Sequence, residues 1–175
     1  MPNLRQKILK KIFERGVESV SKKDLKALFS KGSKRTHLFR HDWDPLELAR
    51  SGFEKTGRPD DIRGIYYARD PDVLQYLVPV ESTSYASKIR PNVEGIPRPG
   101  AKWKDISRAT FDEDVENLGI DFGTRKDPSG LQEVIQLAPN NVLAKIRTKK
   151  GIMYRILSVL GALELLEKSK SEERR

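Results

Sequence analysis

The chain has no cysteine, and among its 175 residues there are only two histidines, two methionines and two tryptophans. Without thiols there can be no disulfide and no thiolate-held metal. That composition suits a reducing compartment, or a chain that crosses a membrane unfolded. His37 and His41 stand four apart and could share a helix face as ligands, but with two histidines, no cysteine and a strand-like context no metal is expected. No apolar run approaches the roughly 18 residues a membrane-spanning helix needs. The longest, around 156–163, breaks at Glu164. The first residues do not read as a signal peptide, and Glu14 and Glu18 break the acid-poor pattern of a targeting presequence. A soluble chain is expected, delivered by a dedicated secretion system or as part of a larger parent if it acts on another cell.

Charge is what the chain has in excess, and it is unevenly spread. The formal net charge is +9, and residues 1–35 carry 11 Lys/Arg against 3 Asp/Glu. The remaining 140 residues are almost neutral, with 23 against 22. The sequence therefore divides into a basic helical arm, 1–35, and a body, 36–175. In the arm Leu4, Ile8, Ile12 and Phe13 recur at helical spacing, with Leu9 widening the stripe and Gly16 as a stop. Ser21-Lys22-Lys23-Asp24 approximates a capping box, so a second helix is expected from Ser21 to about Phe29. Arg5, Lys7, Lys10, Lys11 and Arg15 fill much of the remaining surface. Two readings stay open: a basic amphipathic helix for nucleic acid or another acidic partner, such as anionic lipid, or a solvated helical pair that packs its stripe on the body.

In the body, Leu38 and Phe39 form a short strand that delivers Arg40. Asp44 is placed as an N-cap, Pro45 suits the first helical turn, and Gly52 stops the helix. Ile65-Tyr66-Tyr67 is a short strand or a helical turn, and 78–85 reads as a strand with Pro79 near its start. Pro91, Pro97 and Pro99 mark 90–100 as a loop, and 103–111 is a strand candidate. Residues 112–118 are expected to be helical, with Asp112, Glu113, Asp114 and Glu116 on its solvated start. Asp121-Phe122-Gly123 reads as a turn. Strands are expected over 131–137 and 142–147, and the apolar stretch 152–166 as a helix serving as core or docking surface.

Taken in order, the body offers an arginine after a strand (Arg40), a hydroxyl triplet (Ser82, Thr83, Ser84) and a strand glutamate (Glu133), spaced 42 and 51 residues apart. Leu38-Phe39-Arg40-His41-Asp42 is similar to a Leu-Tyr-Arg-x-Asp opening. Asp44-Pro45-Leu46-Glu47 with Ser51-Gly52-Phe53, and Gln132-Glu133-Val134 before Leu137-Ala138-Pro139, are similar to the stretches that accompany it. Over about 36–150 the chain resembles the ADP-ribosyltransferase toxins, specifically the arginine, Ser-Thr-Ser, glutamate class of cholera-like and pertussis-like A subunits. The resemblance implies an α+β fold of two small, mostly antiparallel sheets packed crosswise around an NAD cleft, with the helical arm before it and a C-terminal helix after it. It also implies NAD as substrate and a macromolecular acceptor, a host protein or a nucleic acid.

Under that resemblance Arg40 holds the dinucleotide through its planar fork. Ser82 orients Glu133, while Thr83 and Ser84 shape the strand beneath the nicotinamide. Tyr76 stands nearest to the histidine these toxins carry between the first two motifs, and could stack on the ligand. Glu133 stabilises the oxocarbenium-like charge that builds as the nicotinamide–ribose bond breaks. Leu131 occupies the position where such enzymes carry a second Glu or a Gln, which leaves the acceptor, and transfer against hydrolysis, open. The alternative from another class is a non-enzymatic basic protein that grips nucleic acid or an acidic partner through Arg5, Lys7, Lys10, Lys11 and Arg15.

Overall fold

A computed structural model describes residues 3–30, 36–54, 62, 64–71, 90–109, 115, 118–126, 130 and 132–159. Tyr76, Ser82, Thr83, Ser84 and Leu131 lie outside the described residues, as do residues 160–175 and most of the stretch expected to be helical over 112–118.

The fold is α+β. Helix α1 (Leu4–Arg15), a 3-10 turn (Val17–Ser19) and α2 (Lys22–Ser30) precede β1 (Leu38–Arg40), α3 (Pro45–Ser51), β2 (Phe53–Glu54) and β3 (Ile65–Ala68). Then come β4 (Val93–Pro97), β5 (Trp103–Asp105), β6 (Phe122–Lys126), β7 (Gln132–Gln136), β8 (Val142–Thr148) and β9 (Gly151–Val159). The strands run in one mixed order, β2-β9-β8-β4-β1-β3-β7-β6-β5. Eight of them make the main ladder, and β2 adds two residues in parallel to the end of β9. The β5–β6 pair is also parallel; the other neighbours are antiparallel. Among the described residues the order is continuous rather than two separate sheets. Its centre is narrow, because β1 and β3 share one register pair, Phe39↔Ala68.

Local chemistry explains the helix ends. Asn3 accepts from the Gln6 amide at 2.9 Å, Ser21 from Asp24 at 3.1 Å and Asp44 from Glu47 at 3.3 Å, so each helix start is capped by a side-chain oxygen. Gly52 ends α3 at φ 71°, in the left-handed region that glycine enters without a Cβ penalty. Alternation along the strands then separates two faces. One buries Leu38, Ile65, Tyr67, Phe122, Val134, Val142, Ala144, Ile146 and Leu157 beneath Leu48 and Ala49 of α3. The other receives Leu9, Ile12, Leu25, Leu28 and Phe29 of the helix pair on Ile96 and Leu143. A smaller cluster of Ile62, Ile106, Val115 and Ile135 covers the β3–β7 half.

The basic arm is therefore packed on the sheet, as the second of the two readings expects. Leu4 is outside the stripe, 73% exposed. Arg5 is corrected as a surface cation: it sits with the stripe, donating to the Leu28 carbonyl at 2.8 Å and contacting His37 Nε2 at 3.1 Å. The guanidinium can only donate, so Nε2 accepts and Nδ1 carries the hydrogen, 2.6 Å from Glu94 Oε1. That buried imidazole ties α1 to β4. Lys7, Lys10, Lys11 and Arg15 remain exposed.

Three expectations are overturned. The helix expected over 152–166 is a strand through Val159, paired with β8 from Val142↔Leu157 to Thr148↔Gly151. Its near-continuous apolar character reflects burial on both faces where β9 is covered, which periodicity cannot distinguish from a buried helix. The C-terminal helix thus loses its first half, and the rest lies outside the described residues. The loop expected over 90–100 contains β4, an interior strand between β1 and β8. Pro91 precedes the strand and Pro97 is its last residue, so neither removes an interior donor. Asp121-Phe122-Gly123 is not a turn but the entrance to β6, where Phe122 is fully buried. Ile65-Tyr66-Tyr67 resolves as strand β3.

Candidate active site

Arg40 is the last residue of β1, one position beyond the single pair that joins β1 to β3. Its Nη1 donates to the Tyr66 carbonyl at 3.3 Å and its Nη2 to Asp42 Oδ2 at 3.1 Å. Asp42 is itself anchored. Its amide donates to Asn92 Oδ1 and its carbonyl accepts from Asn92 Nδ2, each at 2.8 Å, while its Oδ1 accepts from the Asp44 amide at 2.8 Å. The guanidinium is thus held in a planar, charge-assisted setting at the seam of the sheet.

Glu133 lies on β7, opposite Ala68 of β3 and Arg125 of β6. It is buried and forms an ion pair with Arg125 Nε through Oε1. Arg125 also lies 5.4 Å from the centre of the Tyr66 ring and donates to Tyr66 Oη at 3.4 Å. Tyr66 donates in turn to the Ile62 carbonyl at 2.5 Å. A tyrosine on the strand between them therefore links the two candidates: its carbonyl meets Arg40, and its ring and hydroxyl brace the partner of Glu133.

The register also separates them. Phe39 faces with Ala68, so alternation puts Tyr66, Ala68, Arg125 and Glu133 on one face and Arg40 toward the other. Arg40 is paired with Val93 of β4 on one side and lies just past the last pair with β3 on the other, so the two candidates sit two strands apart on opposite faces. The hydroxyl triplet and Tyr76 lie outside the described residues; of the other two, Arg40 meets the Tyr66 carbonyl directly and Glu133 reaches Tyr66 only through Arg125.

Sequence reasoning missed Arg125, Tyr66 and Asn92. Arg125 could have been found by reading 122–126 as a strand, since a β6–β7 hairpin places it across from Glu133. His37 and His41 are used elsewhere, His37 between Arg5 and Glu94 and His41 donating from Nδ1 to the Arg90 carbonyl at 3.0 Å. A groove of about 620 Å³ at the β5 edge is lined by Lys104, Asp105, Ile106, Ser107, Arg108, Ala109 and Leu118. Hydrogen bonds from the Ser107 hydroxyl and amide hold the Asp105 carboxyl below its usual range. That carboxylate is therefore committed to its own turn, which leaves the seam as the more chemically equipped site.

Comparison with family models, curated proteins and solved structures gave no match to this chain.

Proposed function

We propose that the body of this chain is a mono-ADP-ribosyltransferase or NAD glycohydrolase of bacterial toxin or effector type. The observation that carries the reading is the setting of Arg40: a strand-end arginine held by the Tyr66 carbonyl and by an Asp42 that Asn92 anchors, two strands away from a buried glutamate. The reading takes the two parts of the sheet, joined by one β1–β3 register pair, as the two halves that would flank a dinucleotide.

In this reading Arg40 holds the phosphates and ribose of NAD as a bidentate donor. Glu133, positioned by Arg125, stabilises the charge that grows on the ribose as nicotinamide leaves, and Ser82 orients it. The bond between ribose C1′ and the nicotinamide nitrogen breaks, its electron pair leaves with nicotinamide, and an acceptor oxygen or nitrogen, or water, bonds to C1′ and gives up a proton. The acceptor would be a host macromolecule in the target-cell cytoplasm. No described helix is long and apolar enough to cross a membrane.

The test is nicotinamide release from NAD by the purified protein, with and without cell lysate. The expected result is release that falls at least 100-fold in Glu133→Gln, the scale at which loss of a transition-state electrostatic partner is felt. Equal rates in the two proteins, or no release in either condition, would overturn the reading.

A second reading has its own observation. The helix pair is fixed by its apolar stripe and turns Lys7, Lys10, Lys11, Arg15, Lys22, Lys23 and Lys26 to solvent, against Glu14 and Glu18. If this face grips nucleic acid, a labelled duplex should bind with an affinity that drops by roughly 10-fold or more between 50 and 200 mM salt. A Lys7→Ser/Lys11→Ser variant should flatten that slope by about two units. A salt-independent affinity would dismiss it.

A further inference from the structure

Trp43 is the most exposed aromatic among the described residues, with 71% of its surface in water. Large aromatic rings are seldom left this open, and the surrounding backbone is not loose. Asp42, on one side, is bonded through its amide, carbonyl and carboxylate. Asp44, on the other, caps α3 through Oδ1 and donates its amide to Asp42. The His41 ring meets the indole edge-on, at 4.7 Å and 80°, and is itself fixed to the Arg90 carbonyl. The indole is therefore presented on anchored backbone, braced at one side by an imidazole.

The charges around it are specific. Arg40 lies three residues before the indole, paired with Asp42. Arg90, whose carbonyl holds His41, is exposed. The nearer carboxylates are both committed, Asp42 to Arg40 and Asp44 to the Glu47 amide. An open π surface on anchored backbone, next to a segment that carries the exposed Arg90, matches a planar base that carries phosphate, and a preformed surface saves the ordering cost of binding.

We propose that Trp43 is a stacking site for the adenine ring of a nucleotide whose phosphate is drawn to Arg90, the exposed residue whose carbonyl holds the His41 ring. The inference rests on the NAD reading for its ligand, because adenine is the nucleobase NAD carries.

The test titrates the full chain with AMP, nicotinamide mononucleotide and NAD, following tryptophan fluorescence and heats of binding. AMP and NAD should quench, and nicotinamide mononucleotide should not. Trp103→Phe should leave the quenching in place. Trp43→Ala should weaken AMP and NAD about 10-fold or more, and Trp43→Phe, which keeps a stacking ring, by no more than about threefold. The indole is outside the core, so Trp43→Ala should melt like the parent, which a thermal scan checks.

Unchanged AMP and NAD affinity in Trp43→Ala would overturn the proposal while leaving the Glu133 chemistry standing. Trp43-dependent AMP binding without nicotinamide release would uphold the site and defeat the catalytic reading. Binding of a short single strand, but not of AMP, through Trp43 would replace the nucleotide with nucleic acid and overturn the proposal. Absence of all nucleotide binding would remove both.

Discussion

Arg125→Met is expected to lower the unfolding free energy by about 3 kcal/mol, the low end of what breaking a buried pair costs. The two side chains are 17% and 12% exposed, so water screens the charge left behind only slightly. The variant also gives up the guanidinium beside the Tyr66 ring, worth about 0.5–1 kcal/mol. The diagnostic comparison is the double variant Arg125→Met/Glu133→Gln. Replacing the stranded carboxylate with a neutral amide should recover about 1–2 kcal/mol relative to Arg125→Met alone. Urea unfolding followed by far-ultraviolet circular dichroism reads both. If Arg125→Met costs under about 1 kcal/mol, the pair behaves as a surface ion pair, and Glu133 is not held in the way the active-site reading requires.

The second large effect is expected at Gln136, which is fully buried at the end of β7. Its Oε1 accepts from the Tyr67 hydroxyl at 2.9 Å, and its Nε2 donates to the Leu157 carbonyl at 2.8 Å and the Ala138 carbonyl at 3.2 Å. One amide thus satisfies polar groups on three segments inside the core. Leucine has nearly the same volume but no polar atom, so Gln136→Leu would leave the Tyr67 hydroxyl and the Leu157 carbonyl without these partners. At about 1–3 kcal/mol for each such group, a loss of about 3–4 kcal/mol is expected. Tyr67→Phe removes the donor alone and should cost about 1–2 kcal/mol. The same urea unfolding measures them. A Gln136→Leu protein within about 0.5 kcal/mol of the parent would show that the core reorganises to satisfy the freed groups.

What was legible in the sequence was written in local chemistry. Asp44, Pro45 and Gly52 fix the start and end of α3 through contacts no more than four residues apart, and reading them needs no knowledge of the sheet. Strands β7 and β8 were legible as short apolar runs bounded by turns. β4 was hidden because its prolines suggest a loop, and their harmlessness shows only once the partners on both sides are known. β9 was hidden because a strand with apolar residues on both faces lacks the alternation that marks a half-buried one.

The site divides in the same way. Arg40 and Glu133 stood out by their flanking residues, whereas Arg125, Tyr66 and Asn92 act through register across strands, which adjacent residues do not encode. Arg5 was readable in hindsight: it precedes Leu9 by four positions and Ile12 by seven, the spacing of the buried stripe.

The single pair between β1 and β3 bears on the order in which this chain assembles. The β6–β7 and β8–β9 ladders close over a few residues and form at low entropic cost, while β1 must find β4, and β3 must find β7, across more than half a hundred positions. Joining the two halves adds one backbone register pair, so the joint depends on the shared core and on the Gln136 amide, contacts that form only when both halves are in place, which makes it a late step. Arg40 and Glu133 stand on opposite sides of that joint. The chain would complete its candidate chemistry last on the way in, after its hairpins have closed.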